Sequence, residues 1–85
     1  MINSPSPAAP TLRELFGRRV QALRRSSGMT QEALAERIGI SIDFLSLVER
    51  GRNSPSFDIL EQFGRAFDLP VSDLFKFAEV EDEGK

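Results

Sequence analysis

The feature that most constrains the fold of this chain is a short stretch, residues 31–50, in which one glycine separates two runs of apolar residues. The stretch reads QEALAERIGISIDFLSLVER, and its apolar residues recur at the three- and four-residue spacing of helices. Only about three residues around Gly39 connect the two helices, so the helices must cross at a sharp angle. Gly39 can adopt the positive φ that such a joint needs, and Ala35 is small enough to lie at the crossing. The stretch therefore predicts two short helices packed across a tight turn.

Helical patterns extend on both sides of this stretch, and no segment has the convincing alternation of a strand. The first helix is expected to begin at the N-cap Thr11, where Glu14 completes a capping box, and to end at residues 26–28. The chain is therefore predicted to be all-α, with five helices. The other predicted N-caps are Thr30, Ser41, Ser56 and Ser72, and the predicted helix ends include Gly39, Gly51 and the residues before Pro70.

Each predicted helix carries an apolar stripe that is expected to face a common core. The stripes consist of Leu12, Leu15, Phe16, Val20 and Leu23 in the first helix, Ala33, Leu34 and Ile38 in the second, Phe44, Leu45 and Val48 in the third, Ile59, Leu60, Phe63, Ala66 and Phe67 in the fourth, and Leu74, Phe75 and Ala78 in the fifth.

Composition divides the chain into one domain and two flanking segments. Residues 1–10 contain three prolines with Ser, Ala and Asn, and are expected to be a disordered lead. Residues 79–85 are expected to be an acidic tail, and residues 11–78 the folded domain. Residues 1–10 lack the basic end and apolar run of a signal peptide, and no run is long enough to span a membrane. A cytoplasmic location is therefore expected.

The residue types that are missing limit the chemistry of the chain. Cysteine, histidine and tyrosine do not occur, and there are two lysines. The commonest general base and the commonest metal ligands are therefore absent, and neither an enzyme, a metal site nor a cofactor is expected. A chain of 85 residues without disulfides is also expected to be marginally stable as a monomer, which favours self-association.

The net charge of −2 conceals an uneven distribution. Residues 12–52 carry eight arginines against five acidic residues, whereas residues 53–85 carry three basic residues against eight acidic ones. An acidic chain can therefore still present a basic face to a polyanion.

Three segments carry a resemblance to a known family: GMTQEALAERIGIS, VERGRNSPS and AFDLPVSDLF. Over about residues 12–75 the chain resembles the helix-turn-helix domains of phage repressors and Cro proteins, the xenobiotic-response-element family. In size and in the turn ERGRNSPS it is similar to restriction–modification controller proteins. The resemblance implies a five-helix, lambda-repressor-like domain with a central helix-turn-helix at residues 31–50. It also implies a regulator that binds a roughly palindromic double-stranded operator as a homodimer.

The resemblance also assigns residues to DNA contacts, with a recognition helix at about residues 42–50 in the major groove. The match assigns Gln31 to a phosphate contact, for which the alternative is an ordinary surface residue. It assigns Asp43, Ile42 and Leu47 to base-reading positions. The alternative for Asp43 is a favourable interaction with the helix dipole, and for Ile42 and Leu47 it is a core or protein contact. The base-reading positions of this helix hold no Gln, Asn or Arg for bidentate base contacts. Contacts of Ile42 and Leu47 to thymine methyls, a contact of Asp43 to cytosine N4, and shape readout are therefore expected. The residues that match phosphate-binding positions are Thr30, Gln31, Arg50, Arg52, Asn53 and Ser54, and those at or near base-reading positions are Ser41, Ile42, Asp43, Ser46 and Leu47.

Two further sets of residues complete the expected site. Arg24 and Glu49 match positions where family members form a partly buried ion pair. Leu74, Phe75 and Phe77 are the candidates for a dimer interface, and capping of the core is the alternative for them. A protein-interaction module, such as an antitoxin or adaptor, is the alternative function, favoured by the apolar residues on the expected DNA face and by the acidic tail.

Overall fold

The computed structural model describes residues 9–77. Most of the expected N-terminal lead, the expected acidic tail and Ala78 lie outside the described residues. Residues 9–77 contain helices and no strand, so the all-helical prediction is confirmed. The helices are α1 (Leu12–Ser26), α2 (Gln31–Ile38), α3 (Ile42–Glu49), α4 (Phe57–Phe67) and a 3₁₀ helix (Val71–Phe75).

Each of the four α-helices begins at a hydroxyl side chain that accepts a hydrogen bond from a backbone N–H, as the sequence predicted. Thr11 accepts from the N–H of Glu14 at 3.2 Å, and the Glu14 carboxylate accepts from the N–H of Thr11 at 2.9 Å. The other caps, Thr30, Ser41 and Ser56, accept from the N–H three residues on, at 3.0, 3.0 and 3.2 Å. The predicted capping box and these three N-caps are therefore confirmed.

The fifth predicted helix is a 3₁₀ helix of five residues, so the count of five α-helices is not confirmed. Its N-cap position is Pro70 and it has no side-chain cap, which corrects the assignment of Ser72 as the cap. The guanidinium of Arg19 on α1 fastens this segment by donating two hydrogen bonds to the carbonyl of Asp73, at 3.2 and 2.9 Å. Arg19 is therefore partly buried.

All five helices contribute side chains to one core. Phe16 and Phe63 meet edge to face at its centre, with ring centroids 5.8 Å apart. Three predicted core residues are wrong: Leu12 is 61% exposed, Phe75 is 36% exposed, and Ala33 is exposed on α2. The buried face of α2 is formed by Leu34, Ala35 and Ile38. The buried apolar residues are Phe16, Val20, Leu34, Ala35, Ile38, Leu45, Val48, Phe63 and Leu74.

In the part of the chain that the structure describes, none of the helices has the length and apolar character needed to cross a membrane. The same residues contain no group of His, Cys, Asp and Glu side chains that could hold a metal ion.

Candidate nucleic-acid interface

Helices α2 and α3 are joined by a turn of three residues, 39–41, that is closed by backbone hydrogen bonds. Gly39 has a φ of +79°, and its N–H donates to the carbonyl of Ala35 at 2.9 Å. The N–H of Ile40 donates to the same carbonyl at 3.0 Å. Ala35 itself is buried at the crossing, as its small size predicted. The turn therefore fixes the angle between α2 and α3 through local bonds.

The N-terminal part of α3 is the exposed part. Ser41 and Asp43 are exposed, and Ile42, the first residue of α3, is 42% exposed although it is apolar. Ser46 and Leu47, further along the helix, are less accessible because they are half-buried. The opposite face of α3 enters the core through Leu45 and Val48, which are fully buried. Of the five residues expected to read bases, the first three are the most accessible to a ligand.

The residues expected to bind phosphate form two groups in the chain, one at the start of α2 and one in the turn after α3. Arg50, Arg52 and Ser54 are exposed, and Asn53 is half-buried. The side-chain Oδ1 of Asn53 accepts from the N–H of Ser54 at 2.9 Å, which leaves the hydrogens of the Asn53 side-chain amide available to a ligand. Thr30 is exposed, and its hydroxyl oxygen caps α2 while its hydrogen remains able to donate.

Gln31 has a partner that the sequence did not reveal. Its amide nitrogen donates to a carboxylate oxygen of Glu49 at 3.0 Å, and the side chain is half-buried. An amide nitrogen carries two hydrogens, so one remains for a second acceptor such as a phosphate. Gln31 therefore connects the start of α2 to the end of α3 and still has a free donor.

Arg24 and Glu49 form the ion pair that the sequence led us to expect. The guanidinium of Arg24 donates to both carboxylate oxygens of Glu49, at 2.7 and 3.0 Å, and to the carbonyl of Met29 at 3.0 Å. Both residues are buried, with 8% and 5% exposure. The hydrogen bond to Glu49 raises the pKa of Arg24 above its usual value, burial opposes this rise, and the charge of Glu49 adds to it. The pair fixes the last turn of α3 against α1.

A contact between α1 and α3 depends on Gly17, which the sequence reasoning did not single out. A Cβ atom at Gly17 would clash with the carbonyl oxygen of Val48 and lie 2.6 Å from that of Glu49. The backbones of α1 and α3 therefore touch directly at the end of α3. A glycine inside a strongly amphipathic helix is the signal that would have identified this contact from the sequence.

The candidates for the dimer interface differ in burial. Leu74 is fully buried in the core, so its assignment to an interface is wrong. Phe75 is 36% exposed, and its ring lies 5.2 Å from that of Phe16 and 6.2 Å from that of Phe77. Phe77 is half-buried against the core. Of the three residues, Phe75 offers the most accessible apolar surface.

Residues 15–74 match the protein family described as the helix-turn-helix domain. The chain belongs to this family. The match includes all of α2, α3 and α4 and the turn after α3.

Individual helix-turn-helix proteins are similar over most of their length. An uncharacterized HTH-type transcriptional regulator of Bacillus subtilis, YazB, is 36% identical over 61 residues, which are 72% of this chain and 88% of the relative. The crystal structure of the restriction–modification controller protein C.AhdI from Aeromonas hydrophila is 32% identical, with a TM-score of 0.72 over 74% of this chain and 96% of that one. The predicted resemblance to this class of regulators is therefore confirmed.

A second controller protein, C.Esp1396I, was solved bound to a 25 base pair operator site. It is 21% identical, with a TM-score of 0.71 over 91% of this chain and 100% of that one. At this identity the likeness is one of fold.

Proposed function

We propose that the protein is a transcription regulator that binds double-stranded operator DNA as a homodimer. Helix α3 enters the major groove, while the start of α2 and the turn after α3 contact phosphates on either side. One observation carries the proposal: α2 and α3 are held together by a short turn, and the N-terminal surface of α3 is exposed. The exposed cations Arg50 and Arg52 follow the C-terminal end of α3. The relatives, which are transcriptional regulators and controller proteins, support the same function.

The proposed domain is of the lambda-repressor type, with the 3₁₀ helix in the place of its fifth helix. A dimer would set two α3 helices about 34 Å apart, one turn of DNA, so the operator would be roughly palindromic. A controller protein of similar fold that binds a 25 base pair site is consistent with this arrangement. A regulator that binds DNA must be in the compartment that holds the DNA. The cytoplasmic location expected from the sequence is therefore part of this proposal.

Arg52 is the residue with which the phosphate contacts can best be tested. It is exposed, and its side chain makes no hydrogen bond or ion pair within residues 9–77, so its replacement leaves the fold unchanged. We expect Arg52→Ala to weaken binding to all duplexes and to reduce the slope of log affinity against log salt by about 1 for each half-site of the dimer. The measurement is fluorescence anisotropy of labelled duplex over a salt series.

Arg65→Ala is the matched control, since Arg65 is also exposed but lies in the last turn of α4, outside the proposed site. The control should keep the wild-type salt slope. Equal slopes for wild type and Arg52→Ala would remove Arg52 from the interface. If the wild-type chain binds no duplex even at low salt, the DNA-binding function itself is wrong.

Ile42 provides a test of base reading. A thymine methyl group buried against this side chain contributes about 0.8 kcal/mol, or about fourfold in affinity per half-site. Once an operator has been selected from random duplexes, each thymine is replaced in turn by uracil, which lacks that methyl. We expect one thymine per half-site at which the replacement lowers the affinity of the wild type about fourfold. The affinity of Ile42→Ala should not change at that position. If both proteins lose affinity equally at every thymine, Ile42 does not read a methyl group.

A protein-interaction module, such as an antitoxin or adaptor, is the second candidate function. The observation in its favour is the 42% exposure of apolar Ile42 on the surface proposed to face DNA. The low-salt binding experiment separates the two functions, because an adaptor that does not bind DNA gives no signal with any duplex.

A further inference from the structure

An apolar groove lies on the surface of the molecule, between the start of α1, the turn before α4, the start of α4 and the 3₁₀ helix. It has a volume of about 270 Å³. We call it the Phe57 groove and define it by the apolar residues that line it: Leu12, Phe16, Pro55, Phe57, Leu60 and Phe75.

Three large apolar side chains of this groove are exposed. Phe57 is 84% exposed, Leu12 61% and Phe75 36%, and they are three of the five large apolar side chains exposed in residues 9–77. Together they present on the order of 300 Å² of apolar surface, which is the size of the largest apolar patch on a typical monomer, and such patches are often functional. Phe57 projects beside the groove as the first residue of α4, where helix formation does not require an aromatic side chain.

We propose that the Phe57 groove is the surface through which two copies of this chain associate, with Phe57 of each copy inserted into the groove of the other. The inference rests on the homodimer of the proposed function and gives that dimer an interface. A two-fold dimer requires a surface that is complementary to itself. The groove meets this requirement because a projecting ring and a cavity that is lined by apolar side chains lie side by side on one face.

One charged residue of the groove and one beside Phe57 in the chain favour a second copy over an unrelated partner. Arg13 lines the groove, and Asp58 follows Phe57 in the chain. Both are exposed, and neither forms an ion pair within the part of the chain that the structure describes. In a two-fold dimer formed through the groove, Arg13 of each copy can pair with the partner's Asp58.

The groove also lies next to the proposed DNA-binding surface. Asn53 and Ser54, in the turn that follows α3, form part of its edge. An interface here brings the two phosphate-binding turns together at the two-fold axis, so that association and DNA binding support each other. The apolar surface is smaller than the roughly 800 Å² per partner of a stable complex, so the free dimer should be weak and sensitive to protein concentration.

Analytical ultracentrifugation of the full chain without DNA tests the interface. We expect the wild type to be in a monomer–dimer equilibrium at micromolar concentration, and Phe57→Ser to raise the dissociation constant by about tenfold or more. Val71→Ser, which also replaces an exposed apolar residue but lies outside the groove, should leave it unchanged. Because Phe57 is so exposed, the thermal unfolding midpoint of dilute monomer should not fall in Phe57→Ser.

The charges give a second test that does not depend on a loss of apolar surface. Arg13→Asp should weaken the dimer, and the double variant Arg13→Asp with Asp58→Arg should restore it. Equal dissociation constants for wild type, Phe57→Ser and Arg13→Asp would overturn the interface. So would a wild type that stays monomeric, and the groove would then be left to a different protein.

These results are distinguishable from a failure of the proposed function. A wild type that dimerises through the groove but binds no duplex at low salt would leave the interface intact and overturn the DNA-binding function. If the chain binds duplex DNA but Phe57→Ser leaves the dimer dissociation constant unchanged, the DNA-binding function stands and the interface is overturned.

Discussion

Replacement of Arg24 by alanine is expected to lower the free energy of unfolding by about 3–5 kcal/mol. The substitution leaves the Glu49 carboxylate, which is 5% exposed, without its counter-ion and with the Gln31 amide as a remaining donor. It also removes the donor to the carbonyl of Met29 in the segment before α2. In a domain of this size the unfolding temperature would fall by more than about 10 °C. Urea and thermal unfolding followed by circular dichroism measure both quantities.

Arg18→Ala is the control for this prediction, since Arg18 is an exposed arginine on the same helix. It should change stability by less than about 0.5 kcal/mol. The double variant Arg24→Met with Glu49→Leu should recover much of the lost stability, because apolar residues of similar size can replace a buried pair. If Arg24→Ala is as stable as Arg18→Ala, the pair contributes little and α3 is fixed by packing alone.

Gly17→Ala is expected to destabilise the protein by about 1–3 kcal/mol, against the trend of helix propensity. In an open helix position alanine would stabilise by about 1 kcal/mol relative to glycine. Here the added Cβ would meet the backbone carbonyls of Val48 and Glu49, which cannot move without displacing the end of α3. The sign of the change therefore reports whether α1 and α3 are in backbone contact. The measurement is again unfolding in urea.

Gly64→Ala provides a matched comparison in α4. A Cβ there would lie 2.9 Å from the carbonyl oxygen of Leu69, in the segment between α4 and the 3₁₀ helix, and would touch no other helix backbone so closely. We expect a smaller loss of stability than for Gly17→Ala. A Gly17→Ala variant that is as stable as the wild type, or more so, would contradict the close approach of α1 and α3.

The local signals in the sequence predicted most of the secondary structure. Thr11, Thr30, Ser41 and Ser56 each cap an α-helix because a hydroxyl before an apolar stripe can satisfy a free N–H without help from the rest of the fold. Gly39 was equally readable, since its positive φ is a local requirement. Residues whose structure depends on their immediate neighbours in the chain can be predicted from one sequence.

Residues that depend on the tertiary arrangement were less predictable. Leu12 continues the apolar stripe of α1, but the helix begins beside an open groove, so the side chain is exposed. Ser72 looks like a cap, yet Pro70 and the Arg19 bonds to Asp73 set a 3₁₀ helix there instead. Periodicity alone does not say where the neighbouring helices end.

The candidate site shows the same division. The pairing of Arg24 with Glu49 was available from the family resemblance, because both residues match its pattern. The bond from Gln31 to Glu49 was not, since it joins residues 18 positions apart in the chain and depends on the angle between α2 and α3. The DNA contacts of Arg52 and Ile42 remain predictions.

Helix α3 has one face that packs against the rest of the molecule and one face that is exposed. Leu45, Val48 and Glu49 connect it to the rest of the molecule, whereas Ile42 and Asp43 contribute almost nothing to the core. Under the proposed function, the residues that choose an operator are therefore not those that keep the protein folded. Substitutions at positions 42 and 43 should retarget the regulator to new DNA sequences with little cost in stability, which makes this small domain a suitable scaffold for the selection of altered specificities.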